Sequence, residues 1–276
     1  MHSLKLLFVF ILVAQLESKR IYMFSASDLN NLVVEGPGEK FLTNGKEVLN
    51  LRSRYEPGLH DFWDKQTEGG TNGVILKNSD INGELERLCE QDTPELCDSF
   101  RKKGNFKGGH ITVWLPQKFP KNIKIKFDMQ SVTPLGLFIL FFAASPKKDP
   151  SMSIFDESLP TRNGIYTQYT IGKINNYGIS YSARFTGSPR NAPAKLRKNT
   201  GAKQISKGKD IAAEKTGVWY SIKMVKRGKK IRFYIDNQLV INYKAKRKSD
   251  MHGAGYIGLR QMASGHGKYK NFEVYR

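Results

Sequence analysis

Short alternating and apolar runs recur along most of the chain and predict β-strands. Residues 124–130 (KIKFDMQ) alternate basic and apolar side chains, a pattern typical of a strand with one face in solvent. Residues 135–144 (LGLFILFFAA) form a continuous apolar run, as expected for a strand that is buried on both faces. Together the two patterns predict stacked β-sheets.

The C-terminal part of the chain predicts a β-meander followed by two further strands. Its alternating segments are residues 219–225, 231–235, 239–243, 256–262 and 269–275, with turns at Lys226-Arg227-Gly228-Lys229 and Asp236-Asn237-Gln238. Many short strands and little helix indicate an all-β fold. We expect one β-sandwich (jelly-roll) domain over residues 19–276.

Residues 78–104 depart from the strand pattern and have helical periodicity. They include NGELERLCEQDTPELCDSFRKK, in which strong helix formers are interrupted at Pro94. Both cysteines of the chain, Cys89 and Cys97, lie in this segment. Because an oxidising compartment favours a local disulfide, we predict a short helical insertion stapled by this bridge. A zinc site is disfavoured, since the chain has no other cysteine.

The N-terminus has the pattern of a secretory signal peptide, which we assign to residues 1–18. A basic region with His2 and Lys5 precedes an apolar run, LLFVFILVA, that is too short to span a bilayer. Cleavage after Ala14 and cleavage after Ser18 are both open. We expect a secreted or periplasmic protein, monomeric and with no membrane span, since no later segment is long and apolar enough.

An excess of basic residues narrows the choice of partner. The chain has 45 Lys and Arg against 25 Asp and Glu, a formal net charge of +20. Inside a cell this charge would suggest nucleic acid, but the abundant polyanions outside it are uronic-acid and sulfated polysaccharides. We therefore expect an anionic polysaccharide or oligosaccharide and no nucleic acid. The densest basic runs, residues 195–209 and 244–248, either contact such a chain or are solvated loops.

Residues 160–184 (PTRNGIYTQYTIGKINNYGISYSAR) combine four tyrosines with amide and guanidinium side chains. Tyrosine rings stack on sugar faces, and amides and arginines bind hydroxyls and carboxylates, so this stretch is a candidate sugar site. The alternative is a pair of ordinary tyrosine-rich strands.

Strand alternation would divide these side chains between two faces. The tyrosine face would hold Tyr177 and Tyr181, the polar face Ser180, Ser182 and Arg184, and Tyr166 and Gln168 would point away from Tyr169. We favour the polar face with Arg184 as the groove. A tyrosine-lined groove is the alternative.

Several motifs follow one another in a specific order. They are GGHITVWLPQKFP (108–120), FFAA (141–144), FDESLPTRNGIYTQY (155–169), INNYGISY (174–181), LRKNTG (196–201), IRFYIDN (231–237) and IGLRQM (257–262). This order resembles the uncharacterised DUF1961 family from about Phe24 onward, with the cysteine segment as an insertion. The resemblance implies a concanavalin A-like lectin and glucanase fold, in a family that includes a Bacillus protein encoded among rhamnogalacturonan-degradation functions.

One segment departs from the family pattern. In the family, the segment that matches Tyr169 to Tyr181 often carries histidines and an acidic residue. This chain has Thr170, Lys173 and Gly178 in that segment. The departure argues against catalytic bases or metal ligands at these positions. The tyrosines, Asn175 and Arg184 stay candidates.

Two kinds of carbohydrate chemistry can be compared with the sequence. Retaining glycosidases of this architecture resemble one another in an E-x-D-x-(x)-E strand that sets two carboxylates about 5 Å apart, and this chain has no such strand. Lyases need a cation or amide beside the uronate carboxylate and a tyrosine, histidine or lysine to move the C5 proton. The candidate catalytic residues are Tyr166, Tyr181, Arg184 and His110, and the candidate substrate-binding residues are Gln168, Tyr169, Asn175, Tyr177, Arg197, Lys198, Arg260 and Gln261.

Alternatives stay open for several of these residues and for the function. His110 can be a satisfied, partly buried histidine, and Arg260 a buried structural partner. No cofactor is predicted; a structural calcium ion at Asp128, Asp149 or Asp156 stays open, although their spacing is not compact.

The sequence favours a secreted carbohydrate-active protein that binds and degrades an acidic polysaccharide, with lyase chemistry preferred over two-carboxylate hydrolysis. The first alternative is a non-catalytic, lectin-like protein. The second is a secreted structural protein that adheres to anionic matrix or membrane through its basic loops.

Overall fold

The computed structural model describes residues 18–36, 38–43, 48–53, 111–132, 136–164, 166–184, 192–262 and 266–276, without the side chains of Ser53 and Arg184. Several sequence predictions lie outside these residues: the helical insertion with Cys89 and Cys97, His110, and the signal peptide except Ser18. They stay predictions.

The described residues form two antiparallel sheets. The strands are β1 (Arg20–Met23), β2 (Val33–Glu35), β3 (Gly38–Thr43), β4 (Val48–Ser53), β5 (Ile111–Trp114), β6 (Ile123–Ser131), β7 (Gly136–Pro146), β8 (Ile174–Arg184), β9 (Ala194–Asn199), β10 (Lys203–Gly208), β11 (Trp219–Arg227), β12 (Lys230–Ile235), β13 (Gln238–Lys244), β14 (Tyr256–Met262) and β15 (His266–Tyr275). The larger sheet has the order β13-β12-β11-β6-β15-β4-β3, with β1 also paired to β15. The smaller sheet has the order β10-β9-β8-β7-β14-β5-β2. The predicted all-β sandwich is confirmed.

The main core lies between the two sheets. Along β6, every second residue from Ile123 to Met129 is buried, while the residues between them are partly exposed, as the alternating pattern predicts. The meander β11-β12-β13 and the strands β14 and β15 also lie where the C-terminal pattern predicts them. Hydrophobic burial between the sheets therefore accounts for most of the periodicity in the sequence.

A second apolar cluster covers the outer face of the smaller sheet. Trp114 of β5 stacks on Phe141 of β7 at 5.8 Å between ring centroids, and Tyr169 stacks on Phe141 at 5.5 Å. Residue 258 of β14 must be small, because a Cβ on Gly258 would lie 2.5 Å from the Trp114 ring. This cluster explains why β7 is buried on both faces, as its continuous apolar run predicts.

The first part of the tyrosine-rich stretch is helical, so the predicted strand alternation of Tyr166, Gln168 and Tyr169 is wrong. These residues lie in a short helix, α1 (Tyr166–Thr170). The Thr170 hydroxyl donates to the Tyr166 carbonyl at 3.3 Å, which closes the turn. Gly172 then allows a tight exit, because a Cβ there would lie 2.2 Å from the Gln168 carbonyl oxygen.

The second part of the stretch is β8, in which the predicted alternation holds as far as Tyr181. Tyr177 and Tyr181 face the core between the sheets, and Ser180 faces outward. At Ser182 the backbone has a φ of 50°, and the register with β7 shifts at this point. The Ser182 hydroxyl donates to the Ala212 carbonyl at 3.1 Å, so this residue does not continue the polar face.

The basic run at 195–209 is a hairpin rather than a solvated loop. It forms most of β9 and β10, the last two strands at one edge of the smaller sheet. Among the described residues, no helix has the length and apolar character needed to cross a membrane. The same residues contain no group of three His, Cys, Asp or Glu side chains placed to hold a metal ion.

Candidate functional site

A row of mostly polar side chains crosses the outer face of the smaller sheet. Strand pairing sets six residues side by side, one from each of β2, β5, β14, β7, β8 and β9. In that order they are Glu35, Thr112, Arg260, Ile139, Ser180 and Lys195, which we call the polar row. Neighbouring strands lie about 4.8 Å apart, so the row brings together residues that are far apart in sequence.

Arg260 lies at the centre of the polar row and is fully buried. Its Nη1 donates to the Thr112 hydroxyl at 3.0 Å, and its guanidinium lies 4.9 Å from the ring centroid of Tyr169 and 5.5 Å from that of Tyr166. The Arg260 Nε and Nη2 are buried and have no hydrogen-bond partner among the described residues. Burial lowers the pKa of Arg260, and the neighbouring tyrosines and Glu35 oppose this effect.

Glu35 ends the row and is held by two side chains from the covering segment. Arg162 donates from Nη2 to Oε1 at 2.6 Å and from Nε to Oε2 at 3.1 Å, and the Tyr169 hydroxyl donates to Oε2 at 2.8 Å. Burial, followed by the nearby Glu35 charge, raises the pKa of Tyr169 above its ordinary value. Tyr169 therefore stays protonated and acts as a donor to Glu35.

A hydrogen bond joins α1 to the segment before it. The Gln168 side-chain oxygen accepts from the Asn163 backbone N–H at 3.0 Å, while the Asn163 side-chain oxygen is buried without a partner among the described residues. Tyr166 and Gln168 are half-buried, in contrast to Tyr169. Because Tyr166 contacts Arg260 and is only half-buried, it forms the accessible border of the site.

The opposite end of the polar row is basic. Lys195 of β9 is the last residue of the row. Arg197 of the same strand donates from Nη1 to the Ser180 hydroxyl at 3.4 Å. Both basic side chains are half-buried. The row therefore runs from the carboxylate of Glu35, through the buried Arg260, to Lys195, with Arg197 beside this basic end.

Three predicted site residues face the core between the sheets rather than this surface. Tyr181 is fully buried, its hydroxyl has no partner among the described residues, and burial raises its pKa well above the ordinary value. Tyr177 accepts from the His252 backbone N–H at 3.2 Å, and burial raises its pKa to about 12. Gln261 donates to the Tyr269 hydroxyl at 3.1 Å, on the face opposite to Arg260. These positions do not offer the three side chains to a ligand at the surface.

The remaining predicted residues are dispersed. Asn175 lies near the start of β8 and is half-buried, and the Lys198 ammonium donates to the Asp250 carbonyl at 2.6 Å. Arg184 ends β8 opposite Gly136. His110 lies outside the described residues. The site thus gathers Tyr166, Tyr169, Arg197 and Arg260 from the predicted set, while the Gln168 side chain is bonded to the Asn163 backbone.

Sequence reasoning missed Glu35, Thr112, Arg162 and Asn163. Arg162 and Asn163 belong to the motif FDESLPTRNGIYTQY, so this motif could have identified them as site residues. Glu35 and Thr112 sit in short strands with no local feature that marks them. Their role depends on strand pairing, which brings Glu35 to Tyr169 across 134 positions of sequence.

The fold and the site define a class of protein: an antiparallel β-sandwich with a polar site on the outer face of one sheet. The chain belongs to the DUF1961 family (domain of unknown function), whose model matches residues 79–274. The predicted family membership is therefore confirmed.

Two similar proteins come from Bacillus subtilis. The chain is 29% identical over 172 residues to the uncharacterised protein YesU of strain 168, covering 60% of this chain and 77% of YesU. A crystal structure of a protein of unknown function with a galectin-like fold, also from Bacillus subtilis, aligns with a TM-score of 0.67 at 22% identity. That alignment covers 93% of this chain and 96% of the other.

Proposed function

We propose that this protein binds an acidic saccharide at the polar row, with Arg260 receiving a carboxylate of the sugar. The observation that carries this proposal is the pair of unpartnered donors, Nε and Nη2, on the buried Arg260 guanidinium. A buried donor without a partner costs about 1–3 kcal/mol, so such a pair is expected where a ligand supplies the acceptors.

The geometry of the free donors selects the ligand group. Nε–H and Nη2–H point in parallel from one edge of a guanidinium, and this edge matches the two oxygens of a carboxylate. The other edge is already used, because Nη1 donates to Thr112. A uronate sugar supplies the matching carboxylate, and Arg197 and Lys195 at the end of the row favour further negative charge.

The aromatic groups around Arg260 fit the rest of a sugar. Tyr166 lies beside the guanidinium at the accessible border and can stack on a pyranose face.

A lyase is the second candidate function, favoured by the contact between Tyr166 and Arg260. A tyrosine next to the group that neutralises the carboxylate can take the C5 proton of a uronate. Two-carboxylate hydrolysis is less favoured, because the carboxylate of the polar row, Glu35, is occupied by Arg162 and Tyr169. We further propose that the protein is a secreted or periplasmic monomer, with a bridge between Cys89 and Cys97.

Binding to defined oligosaccharides tests the proposal. We expect oligogalacturonates or oligoglucuronates to bind at least about tenfold more tightly than neutral oligomers of equal length, by calorimetry. Arg260→Lys keeps the charge but removes the paired donors, and should lose most of this preference. Tyr166→Ala should weaken binding of both sugar classes, whereas the matched control Tyr243→Ala, a half-buried tyrosine of β13 in the other sheet, should not.

The same proteins decide between binding and catalysis. A lyase would produce unsaturated uronyl ends, seen as a rise in ultraviolet absorbance, and Tyr166→Phe would stop the rise while binding persists. Equal affinity for acidic and neutral sugars, or wild-type acid preference in a folded Arg260→Lys variant, would refute the carboxylate site.

A further inference from the structure

The outward face of the larger sheet carries cations in adjacent rows. Pairing of β13, β12 and β11 places Lys244, Lys230 and Arg227 side by side. The next row, from β12 to β15, runs Arg232, Val225, Lys124 and Tyr275. The third runs Tyr234, Lys223, Lys126 and Glu273. We call six of these residues the basic face: Lys124, Lys126, Lys223, Arg227, Lys230 and Arg232.

The charges of the basic face are not neutralised within the described part of the chain. No carboxylate of that part lies within ion-pair distance of the six cations. Glu273 lies in the third row, but it is paired with Arg20 at 2.7 Å and accepts from the Tyr275 hydroxyl at 2.6 Å. Lys126 and Lys223 are direct cross-strand partners, an arrangement of like charges that destabilises a sheet. An external polyanion would relieve this repulsion.

Aromatic rings hold several of the ammonium groups in place. The Lys124 Nζ lies 4.1 Å from the Tyr275 ring centroid, and the Lys223 Nζ lies 4.4 Å from that of Tyr234. These contacts limit side-chain motion without cancelling charge, so less entropy is lost when a ligand binds. Burial, followed by the neighbouring cations, lowers the pKa of Lys124, and Glu273 opposes this effect.

A cavity of about 240 Å³ opens beside the basic face. Lys124, Arg227 and Arg276 line it, together with Ser18, Ile123 and Val225. Three cations around one cavity can receive a sulfate or carboxylate group, while the flat rows beside it receive the next groups of the same chain.

The arrangement favours an extended polysaccharide over a membrane or a nucleic acid. The exposed Leu239 and Met23 lie at opposite ends of the third row, about 24 Å apart at about 4.8 Å per strand, so they do not form the continuous apolar surface that an interfacial membrane anchor needs. Single-stranded nucleic acid needs free aromatic faces for base stacking, and ammonium groups cover Tyr275 and Tyr234. The six cations also lie on neighbouring strands within one sheet, rather than on a helix or a separate two-stranded ribbon of the kind that enters a duplex groove.

We propose that the basic face is a docking surface for an extended polysaccharide that carries sulfate or carboxylate groups. It lies on the sheet opposite to the polar row, so it can hold a polymer while the polar row binds a sugar unit. This inference does not rest on the proposed function, since neither Arg260 nor Tyr166 takes part.

Binding of labelled chondroitin sulfate and polygalacturonate to the whole protein tests the proposal, with neutral dextran for comparison. We expect Lys126→Gln/Lys223→Gln/Arg232→Gln to weaken binding by about tenfold or more at low salt and to reduce the salt dependence. The matched control, Lys173→Gln/Lys203→Gln/Lys207→Gln, removes the same charge from exposed positions outside both the polar row and the basic face, and should change affinity much less. In wild-type protein, bound polymer should protect Lys126 and Lys223 from acetylation, read by mass spectrometry.

Four results would overturn the proposal. Equal weakening by the two triple variants would mean that net charge alone attracts the polymer. Unprotected Lys126 and Lys223 would place the polymer elsewhere. Tighter binding to vesicles with anionic lipid, or to duplex DNA, than to either polysaccharide would identify a different partner. Loss of binding in Arg260→Lys with an unaffected basic-face variant would assign the polymer to the polar row instead.

Discussion

His252 illustrates how burial sets the protonation of a single side chain. Its Nε2 donates to the Asn199 carbonyl at 2.6 Å, and its ring lies 4.7 Å from the Tyr177 ring. Burial lowers the pKa of His252 to about 4; the Asn199 carbonyl opposes this, and Lys198 and Lys226 add to it. His252 is therefore neutral in the folded protein near neutral pH.

The depressed pKa of His252 predicts a loss of stability in mild acid. Between the ordinary value of 6.5 and the folded value of about 4, the unfolded chain binds more protons, so the free energy of unfolding falls as the pH falls. We expect His252 to account for a loss of about 2–3 kcal/mol across this range. Denaturant unfolding at a series of pH values measures it.

His252→Gln is the matching variant, because the glutamine amide can donate to Asn199 without titrating. Its stability relative to wild type should improve steadily from pH 7 to pH 4.5. A stability difference that stays constant across this range would contradict the assigned role of His252.

At the scale of elements, α1 is fixed to the smaller sheet by a chain of buried amides. The Asn199 side chain donates to the Asn176 side chain at 2.7 Å, and Asn176 donates to the Tyr169 carbonyl at 2.7 Å. The Gly201 backbone donates to the Thr170 carbonyl at 2.7 Å. Because these bonds hold α1 over β8, they also position Tyr166 and Tyr169 around Arg260.

Removing the middle amide should destabilise the protein and loosen α1. We expect Asn176→Ala to cost about 2–4 kcal/mol, because it leaves both the Tyr169 carbonyl and the Asn199 amide buried without a partner. Urea unfolding measures the cost, and hydrogen exchange should show faster exchange at Ile171 and Gly172. The exposed Asn242→Ala is the control and should change stability by less than about 0.5 kcal/mol. Equal effects of the two substitutions would show that the amide chain does not hold α1.

Most strands could be predicted because burial between two sheets imposes a period of two on the sequence. The pattern fails at α1, where tyrosines serve as a cover on an outer sheet face and need no strand period. The sequence pattern also does not show which face of β8 meets the core. Alternation correctly separated Tyr177 from Ser180, but which of them meets the core depends on where the second sheet lies.

The site could be predicted only in part, for a related reason. Arg260 and the α1 residues were identifiable because a rich local composition or a motif marks them. Glu35 and Thr112 reach Arg260 through pairing of β2, β5 and β14, which no local pattern encodes. A site built from one row of a sheet is visible in sequence only where a strand carries an unusual residue.

At the scale of the whole molecule, the two types of charge are arranged differently. Several carboxylates have a basic partner: Glu35 pairs with Arg162, Glu273 with Arg20 and Asp250 with Arg247. The cations of the basic face have no such partner among the described residues. Part of the net charge of +20 therefore acts as repulsion between neighbouring strands, as between Lys126 of β6 and Lys223 of β11.

This imbalance predicts that salt stabilises the fold. Raising sodium chloride from about 0.01 M to about 0.5 M shortens the screening length from about 30 Å to a few ångströms, so repulsion weakens and the free energy of unfolding should increase. Lys126→Gln/Lys223→Gln should be more stable than wild type at low salt, by about 0.5–1 kcal/mol, and should gain less from added salt. The control Lys148→Gln/Lys173→Gln changes two exposed lysines outside the strands and should keep the wild-type salt response. Destabilisation by salt would instead show that attractive ion pairs dominate the electrostatics of the fold, and repulsion between β6 and β11 would then not be the force that a bound polyanion relieves.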